Sequence, residues 1–241
     1  STGGTKKILE ENNIKVFSIS TLTGQNEVMD GRVKTIHPGI FGGILADRKN
    51  KEHIKDLNIL DSELIDLVIV NFYPFKKEAI DKKLDFSRAI EFIDIGGPSM
   101  LRAAAKNYIN VIPLCHHSQY TNFISLFKKN SGFFTQEDRL IFAKKVFQLT
   151  TKYDSQINNY FDTKSSDGID LNLLKVNDLR YGENPHQRAA FYLQKNEKQY
   201  WEQLHGKDLS YNNFFDIETS ISIVNEFDVL SCVIIKHANP C

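Results

Sequence analysis

Cysteine is scarce in this chain of 241 residues, and the three present, Cys115, Cys232 and Cys241, are too few for a disulfide framework. None has the C-x-x-C spacing of a structural zinc site, and the adjacent His116 and His117 lack a second His or Cys cluster, so no metal is expected. Free thiols suit a reducing compartment, and the expected location is cytoplasmic. No stretch approaches 18 uninterrupted apolar residues, which excludes an apolar membrane-spanning helix and predicts no membrane partner. Net charge is absent too: 30 Lys and Arg balance 30 Asp and Glu, which argues against wholesale binding of nucleic acid while leaving room for a local basic pocket. There is no internal repeat, coiled-coil heptad or low-complexity tract. An initiator Met and a signal peptide are also lacking, and the chain stops directly after an apolar strand pattern, VLSCVIIKHANPC. The expectation is a chain truncated at both ends.

What remains is a globular composition, 41% hydrophobic and 25% charged, long enough for one large domain or two small ones. KKILEENN predicts a short amphipathic helix with Ile8 and Leu9 turned inward, and KVFSIS a strand. From Thr21 to Arg48 the sequence is rich in Gly, His, Pro and Arg without a period, a candidate functional loop. LIDLVIVNF and VIPLC are near-continuous branched apolar runs that suit strands covered on both faces. Between them, a short helix spans Ser87 to Phe92. Gly96-Gly97 then forms a tight turn, with Pro98 at the first helical position of LRAAAK. A helix runs from His116-His117-Ser118 through Leu126, and a long one begins at Thr135. Alternating strands and helices predict an α/β fold with a mostly parallel sheet. The polar tract Asp162 to Asp170 marks a boundary. Past it, LRYGENPHQRAAFY opens a second unit with a helix from about Asp216 to Phe227 and a strand, SCVIIKH.

Several clusters carry chemistry. Ser1, Thr2, Gly3, Gly4 and Thr5 place hydroxyls and free amides at a helix start, either a phosphate cradle or an ordinary cap. In GRVKTIHP, Arg32 and Lys34 point the same way if the segment is extended, either as a solvated pair or with an anion between them. Asp94, Gly96 and Gly97 stand just before a helix, and Asn71 and Tyr73 directly follow the best strand. Ligands collect at such strand ends in parallel α/β sheets, although Asp94 is equally a turn or capping residue. Arg102 and Lys106 share one face of the next helix. Lys236, His237 and Asn239 end the last strand, where a His beside a cation is a general-base candidate or simply a polar terminus. Arg180, Tyr181, Asn184 and His186 form a polar and aromatic loop cluster.

Eight segments in order, STGGT, MDGRVKTIHP, GGIL, NFYPF, DIGGPSMLRAAAKN, LRYGENPHQ, LSYNN and VIIKHANPC, together resemble the bifunctional purine biosynthesis family, AICAR transformylase/IMP cyclohydrolase. The resemblance runs from the first residue to the last and carries little signal only in the connecting helices and from Phe123 to Leu173. It implies a methylglyoxal-synthase-like cyclohydrolase domain over 1–165 that lacks its first strand, a linker over 166–173, and over 174–241 the start of a cytidine-deaminase-like transformylase domain. In the family, 10-formyltetrahydrofolate is the co-substrate that formylates AICAR, and the product FAICAR then closes to IMP with loss of water. No metal takes part, and the intact protein is a homodimer.

Carried over residue by residue, the resemblance implies that Ser1 to Thr5 hold the nucleotide phosphate and that Arg32, Thr35, Asn71, Gly96 and Gly97 line the cyclohydrolase pocket. Lys34 and Tyr73 would stabilise the charge on the formyl oxygen, and Asp94 would move the proton, oriented by Lys106. His237 would be the base for formyl transfer, assisted by Lys236 and Asn239, with Arg180 and Tyr181 on the AICAR nucleotide. Transformylase activity is not expected from this stretch alone, and cyclohydrolase activity is expected to be impaired. The alternative is a phosphate- or nucleotide-binding domain of the same fold without catalysis.

Overall fold

The computed structural model describes residues 3–162, 171, 173–194 and 197–241, so Ser1, Thr2 and most of the expected linker lie outside the described residues. The chain divides into two compact units, Ser1–Ser165 and Ser166–Cys241.

In the first unit, helix α1 (Gly3–Glu11) is followed by a short α2 (Ile19–Thr23). The expected strand KVFSIS does not form. Ser18 accepts a hydrogen bond from the Thr21 amide at 3.1 Å and caps α2 instead, the competition that hydroxyl side chains offer to a ladder. Ile8, expected inward, is 61% exposed, and α1 buries no residue. The stretch expected as an aperiodic loop is in part helical. His37 Nδ1 accepts from the Gly39 amide at 3.1 Å and Pro38 opens α3 (Pro38–Leu45), a favourable first position because proline has no amide to leave unpaired. Gly43 lets α3 approach the chain at Glu63, where a Cβ would stand 2.4 Å from the Glu63 carbonyl oxygen.

After α4 (Lys51–Ile59), strand β1 (Leu67–Ile69) pairs in parallel with β2 (Ile112–Leu114), Val68 opposite Pro113. Hydrogen bonds from Ile112 N to Asp66 O and from Val70 N to Leu114 O extend the pairing at both ends. Between them lie a π-helical turn (Lys76–Ile80), α5 (Phe86–Ala89), a 3-10 turn (Ile90–Phe92) and α6 (Gly96–Lys106). Helix α6 begins at Gly96 itself, so Pro98 is its third residue and the two glycines form its first turn rather than a separate one. Its buried Leu101 and Ala103 to Ala105 pack with Ile40 and Ile44 of α3, Val68 of β1 and Val146. Asn107, at its end, donates to the carbonyls of Ile44 and Ala46 at 2.8 and 3.0 Å, tying α6 to α3. Helix α7 (Tyr120–Lys129) follows, and then Thr135 caps α8 (Gln136–Phe161) reciprocally with Asp138. Phe142, Ala143, Val146, Thr150 and Tyr153 form the buried stripe of α8, at the three- and four-residue spacing of one helix face.

Among the described residues, the second unit holds two antiparallel pairs and one helix. Strands β3 (Leu173–Asp178) and β4 (Ala190–Gln194) pair with a register shift between Lys175 and Asn177. Helix α9 (Tyr211–Val224) begins five residues earlier than expected, because buried Ser210 and Asn213 bond to each other and start it. Phe191 of β4 lies 4.6 Å from Phe214 of α9, ring centre to ring centre, and Trp201 closes the cluster 5.2 Å from Phe214. Of the expected strand SCVIIKH only β5 (Ile235–Lys236) is paired, with β6 (Asn239–Pro240).

Candidate functional site

The C-terminal end of β1 and the N-terminus of α6 meet at Asp94. Its Oδ1 accepts from the Gly97 amide at 2.9 Å and its Oδ2 from the Tyr73 amide at 3.4 Å, so one carboxylate spans the strand exit and the helix start. A Cβ on Gly97 would fall 2.5 Å from Asp94 Oδ2, which is why a glycine stands there. The Asp94 amide in turn donates at 2.8 Å to the hydroxyl of Tyr153 on α8. Burial raises the Tyr153 hydroxyl above its ordinary pKa, only partly offset by its bond to the Asp94 backbone, so it stays protonated.

Of the expected groups, Tyr73 and Thr35 stand beside this centre, while the Asn71 side chain turns to the start of α7. Tyr73 is 52% exposed and its ring lies 5.6 Å from that of Phe92. Thr35 Oγ1 is 2.8 Å from where a Cβ on Gly96 would sit. Asn71 donates to the Tyr120 hydroxyl at 3.2 Å. The GRVKT segment is a tight turn closed by a bridge between Val28 and Val33, with Met29, Asp30 and Gly31 all at positive φ. Arg32 and Lys34 each engage a different carboxylate rather than a shared anion. Arg32 pairs with Glu91, just ahead of Asp94, and Lys34 pairs with Glu27 at 2.8 Å, so a separate carboxylate relieves each charge.

Other expected members stand apart. Lys106 closes α6 at the end opposite Gly96, about 15 Å along the axis at 1.5 Å per residue. Gly3, Gly4 and Thr5 form the first turn of α1, and nothing approaches within 4 Å of a Cβ built on either glycine.

In the second unit the LRYGENPHQ and LSYNN segments bind one another through their backbones. The Arg180 amide donates to Leu209 O at 2.8 Å and the Tyr211 amide to Tyr181 O at 3.1 Å. Arg180 lies over the ring of Tyr181 at 4.9 Å. Gln187 Oε1 accepts from the Asn184 amide at 2.8 Å and fixes the loop. Gly182, Glu183, Gln187, Arg188, Ala189 and Tyr211 line an open cavity of about 460 Å³. Lys236, His237 and Asn239 occupy a two-residue hairpin whose central residues, His237 and Ala238, both have positive φ. Among the described residues no group of three or more His, Cys, Asp or Glu is arranged to hold a metal, and no helix is long and apolar enough to cross a membrane.

Residues 104–241 match the family model described as AICARFT/IMPCHase bienzyme, and residues 1–99 match the MGS-like domain. The chain belongs to the AICARFT/IMPCHase bienzyme family. It is 48% identical over 252 residues to the bifunctional purine biosynthesis protein PurH of Caldicellulosiruptor saccharolyticus, covering all of this chain and 49% of that protein. PurH of Bacillus mycoides is 47% identical over 249 residues, again across the whole chain and 48% of the relative. The chain thus spans about half the length of the curated relatives it matches. A solved structure described as the crystal structure of ForH superposes with a TM-score of 0.57 at 33% identity, covering 66% of this chain and 81% of that one. As in the expected architecture, an MGS-like domain precedes the bienzyme family's own region. The junction between the two family models falls inside α6, whose Leu101 and Ala103 to Ala105 share one buried core with Ile40 and Val68, so the folding body does not end there.

Sequence reasoning missed the residues that hold this family's motifs in place: Tyr153, Tyr120, Glu27 and Glu91 in the first unit and Asp216 in the second. Tyr153 had a readable signal. A tyrosine on the buried stripe of an amphipathic helix needs a partner for its hydroxyl.

Proposed function

We propose that the first unit carries out the dehydrative ring closure of FAICAR to IMP, and that the second begins the transformylase that makes FAICAR from AICAR and 10-formyltetrahydrofolate. The domains would be a cyclohydrolase over 1–165, a linker over 166–173 and the opening of the transformylase from 174 to 241. The observation that carries this reading is the Asp94 carboxylate, which joins the exit of β1 at Tyr73 to the start of α6 at Gly97 and so ties the NFYPF and DIGGP segments together, with Thr35 of GRVKT close to Gly96.

Ring closure requires the carboxamide nitrogen to attack the formyl carbon. As the N–C bond forms, the carbonyl π electrons move to oxygen, and a proton passes from the carboxamide nitrogen to that oxygen. The C–O bond then breaks as the formamido N–H proton is lost and a C=N bond forms, and the oxygen, having taken a second proton, departs as water. Negative charge on that oxygen is met by Lys34 and the Tyr73 hydroxyl, beside the partly positive N-terminus of α6. Asp94 uses one lone pair of each oxygen on backbone amides, and a carboxylate has about four acceptor sites, so it can still take the carboxamide proton. Arg32, Thr35, Asn71, Gly96 and the Gly3–Thr5 turn, with Ser1 and Thr2, bind the nucleotide. Lys106, at the C-terminal end of α6, would tune or orient Asp94. In the transformylase, His237 would act as base with Lys236 and Asn239 beside it, and Arg180 and Tyr181 would contact AICAR. Free thiols suit a reducing, cytoplasmic setting, and the intact protein would be a homodimer.

Separate assays of FAICAR closure and AICAR formylation on the 241-residue chain test this. Slow closure is expected, falling about a hundredfold in Tyr73→Phe or Lys34→Met, with no formylation. A folded chain that binds IMP yet never closes FAICAR would replace the catalytic reading with that of a nucleotide-binding domain.

A further inference from the structure

His237 and Ala238 form the two-residue turn between β5 and β6 with φ of 55° and 56°. Two successive positive φ values are the pattern of a type I′ turn, which sequences normally supply as Asn-Gly. Neither residue here is glycine, and the left-handed region is unfavourable for an ordinary L-residue. The β5–β6 ladder is only two residues long on each side, lengthened by one bond from the Cys241 amide to Ile234 O. Such a short hairpin does not by itself hold a strained turn. One contact from outside it does: the Ala238 amide donates to Asp216 Oδ1 at 2.7 Å, and Asp216 is half-buried on α9, 22 residues earlier in the chain. A second, local bond runs from Asn239 Nδ2 to His237 O at 2.9 Å.

We infer that Asp216 is a positioning residue: its carboxylate clamps the Ala238 amide, holds the turn in its left-handed conformation and so fixes the direction in which the His237 imidazole projects. This rests on the proposed role of His237 as the base of formyl transfer. A bond to a charged acceptor is stronger than a neutral one, and the acceptor here sits on a helix that the Phe191, Trp201 and Phe214 cluster already anchors. The strain at His237 and Ala238 is then maintained by its surroundings, as strain at functional positions is.

Amide hydrogen exchange on the 241-residue chain tests the clamp without any assay of activity. In Asp216→Ala the Ala238 amide is expected to lose protection by about tenfold or more, whereas Asp216→Asn, which keeps an oxygen acceptor, retains most of it. Unchanged protection in Asp216→Ala, or equal loss in both variants, overturns the inference. In the intact protein, Asp216→Ala is expected to lower kcat for AICAR formylation by about 10- to 100-fold with a much smaller change in KM, and Asp216→Asn to restore it. A loss confined to KM overturns the positioning role. His237→Ala measured beside them separates the two ideas: undiminished formylation there removes His237 as the base and overturns a catalytic purpose for the clamp, while the exchange data still report on the clamp itself.

Discussion

The hydroxyl of Tyr153 accepts a hydrogen bond from the Asp94 amide at 2.8 Å, linking the longest helix of the first unit to the residue at the centre of its candidate site. Tyr153 is otherwise a core residue, with Phe72 and Phe75 edge-on to its ring at 5.1 and 6.5 Å. Tyr153→Phe keeps that packing and removes the hydroxyl, which accepts from the Asp94 amide and also donates to Phe92 O at 3.5 Å. It is expected to cost about 1–2 kcal/mol by leaving the half-buried amide unpaired, read as a lower midpoint in urea unfolding. FAICAR closure should lose kcat rather than affinity for the nucleotide. A variant as stable as the parent would mean that water replaces the hydroxyl without loss.

Two glycines in helices separate conformational freedom from close approach. Gly43 of α3 lies where a Cβ would meet a backbone oxygen at 2.4 Å, and Gly4 of α1 where it would meet nothing within 4 Å. Gly43→Ala should therefore destabilise by about 1–3 kcal/mol despite the better helix propensity of alanine. Gly4→Ala should stabilise α1 by about 0.5–1 kcal/mol. Thermal melts of the pair decide it, and the same sign for both would remove the close approach at Glu63 as the cause.

Much of this was legible in advance where the physics is local. The start of α8 at Thr135 follows from a hydroxyl three residues before a carboxylate. The meeting of Tyr73 and Asp94 follows from the rule that strand ends gather functional groups. Other features depended on partners far along the chain. Nothing near Asp94 in sequence announces Tyr153, and Ser18 prevailed over a plausible strand because its oxygen caps a helix too short to show a period.

Cys115 and Tyr153 give the first unit an alkaline weakness. Burial raises the Cys115 thiol above its ordinary 9.0 and the Tyr153 hydroxyl above 10.0. In the unfolded chain both release their protons near those ordinary values, while the folded protein retains them to higher pH. The unfolded state then binds fewer protons, so stability is fully present below about pH 9 and falls as pH rises through the folded values. Urea midpoints from pH 7 to 10.5 should decline, and Cys115→Ser should blunt the earlier part of the decline. At pH 8, iodoacetamide should label exposed Cys232 and Cys241 well before buried Cys115.

Glu27 and Glu91 hold the two cations that the proposed reaction uses, Lys34 at the formyl oxygen and Arg32 at the nucleotide. The Lys34 and Glu27 side chains are 34% and 47% exposed, and those of Arg32 and Glu91 69% and 51%, so each pair contributes at most about 1 kcal/mol to stability. Replacing either glutamate by glutamine should leave the melting temperature nearly unchanged, yet free a cation that otherwise has to exchange one carboxylate for the ligand. Calorimetric affinity for IMP is therefore expected to rise in Glu91→Gln by up to about fivefold, the factor that 1 kcal/mol allows, and kcat for FAICAR closure to rise by a similar factor in Glu27→Gln. Both gains should shrink as salt is raised from low to physiological strength, because half-exposed charges are screened. Weaker IMP binding in Glu91→Gln and slower closure in Glu27→Gln would mean that the glutamates place Arg32 and Lys34 for these roles rather than compete for them.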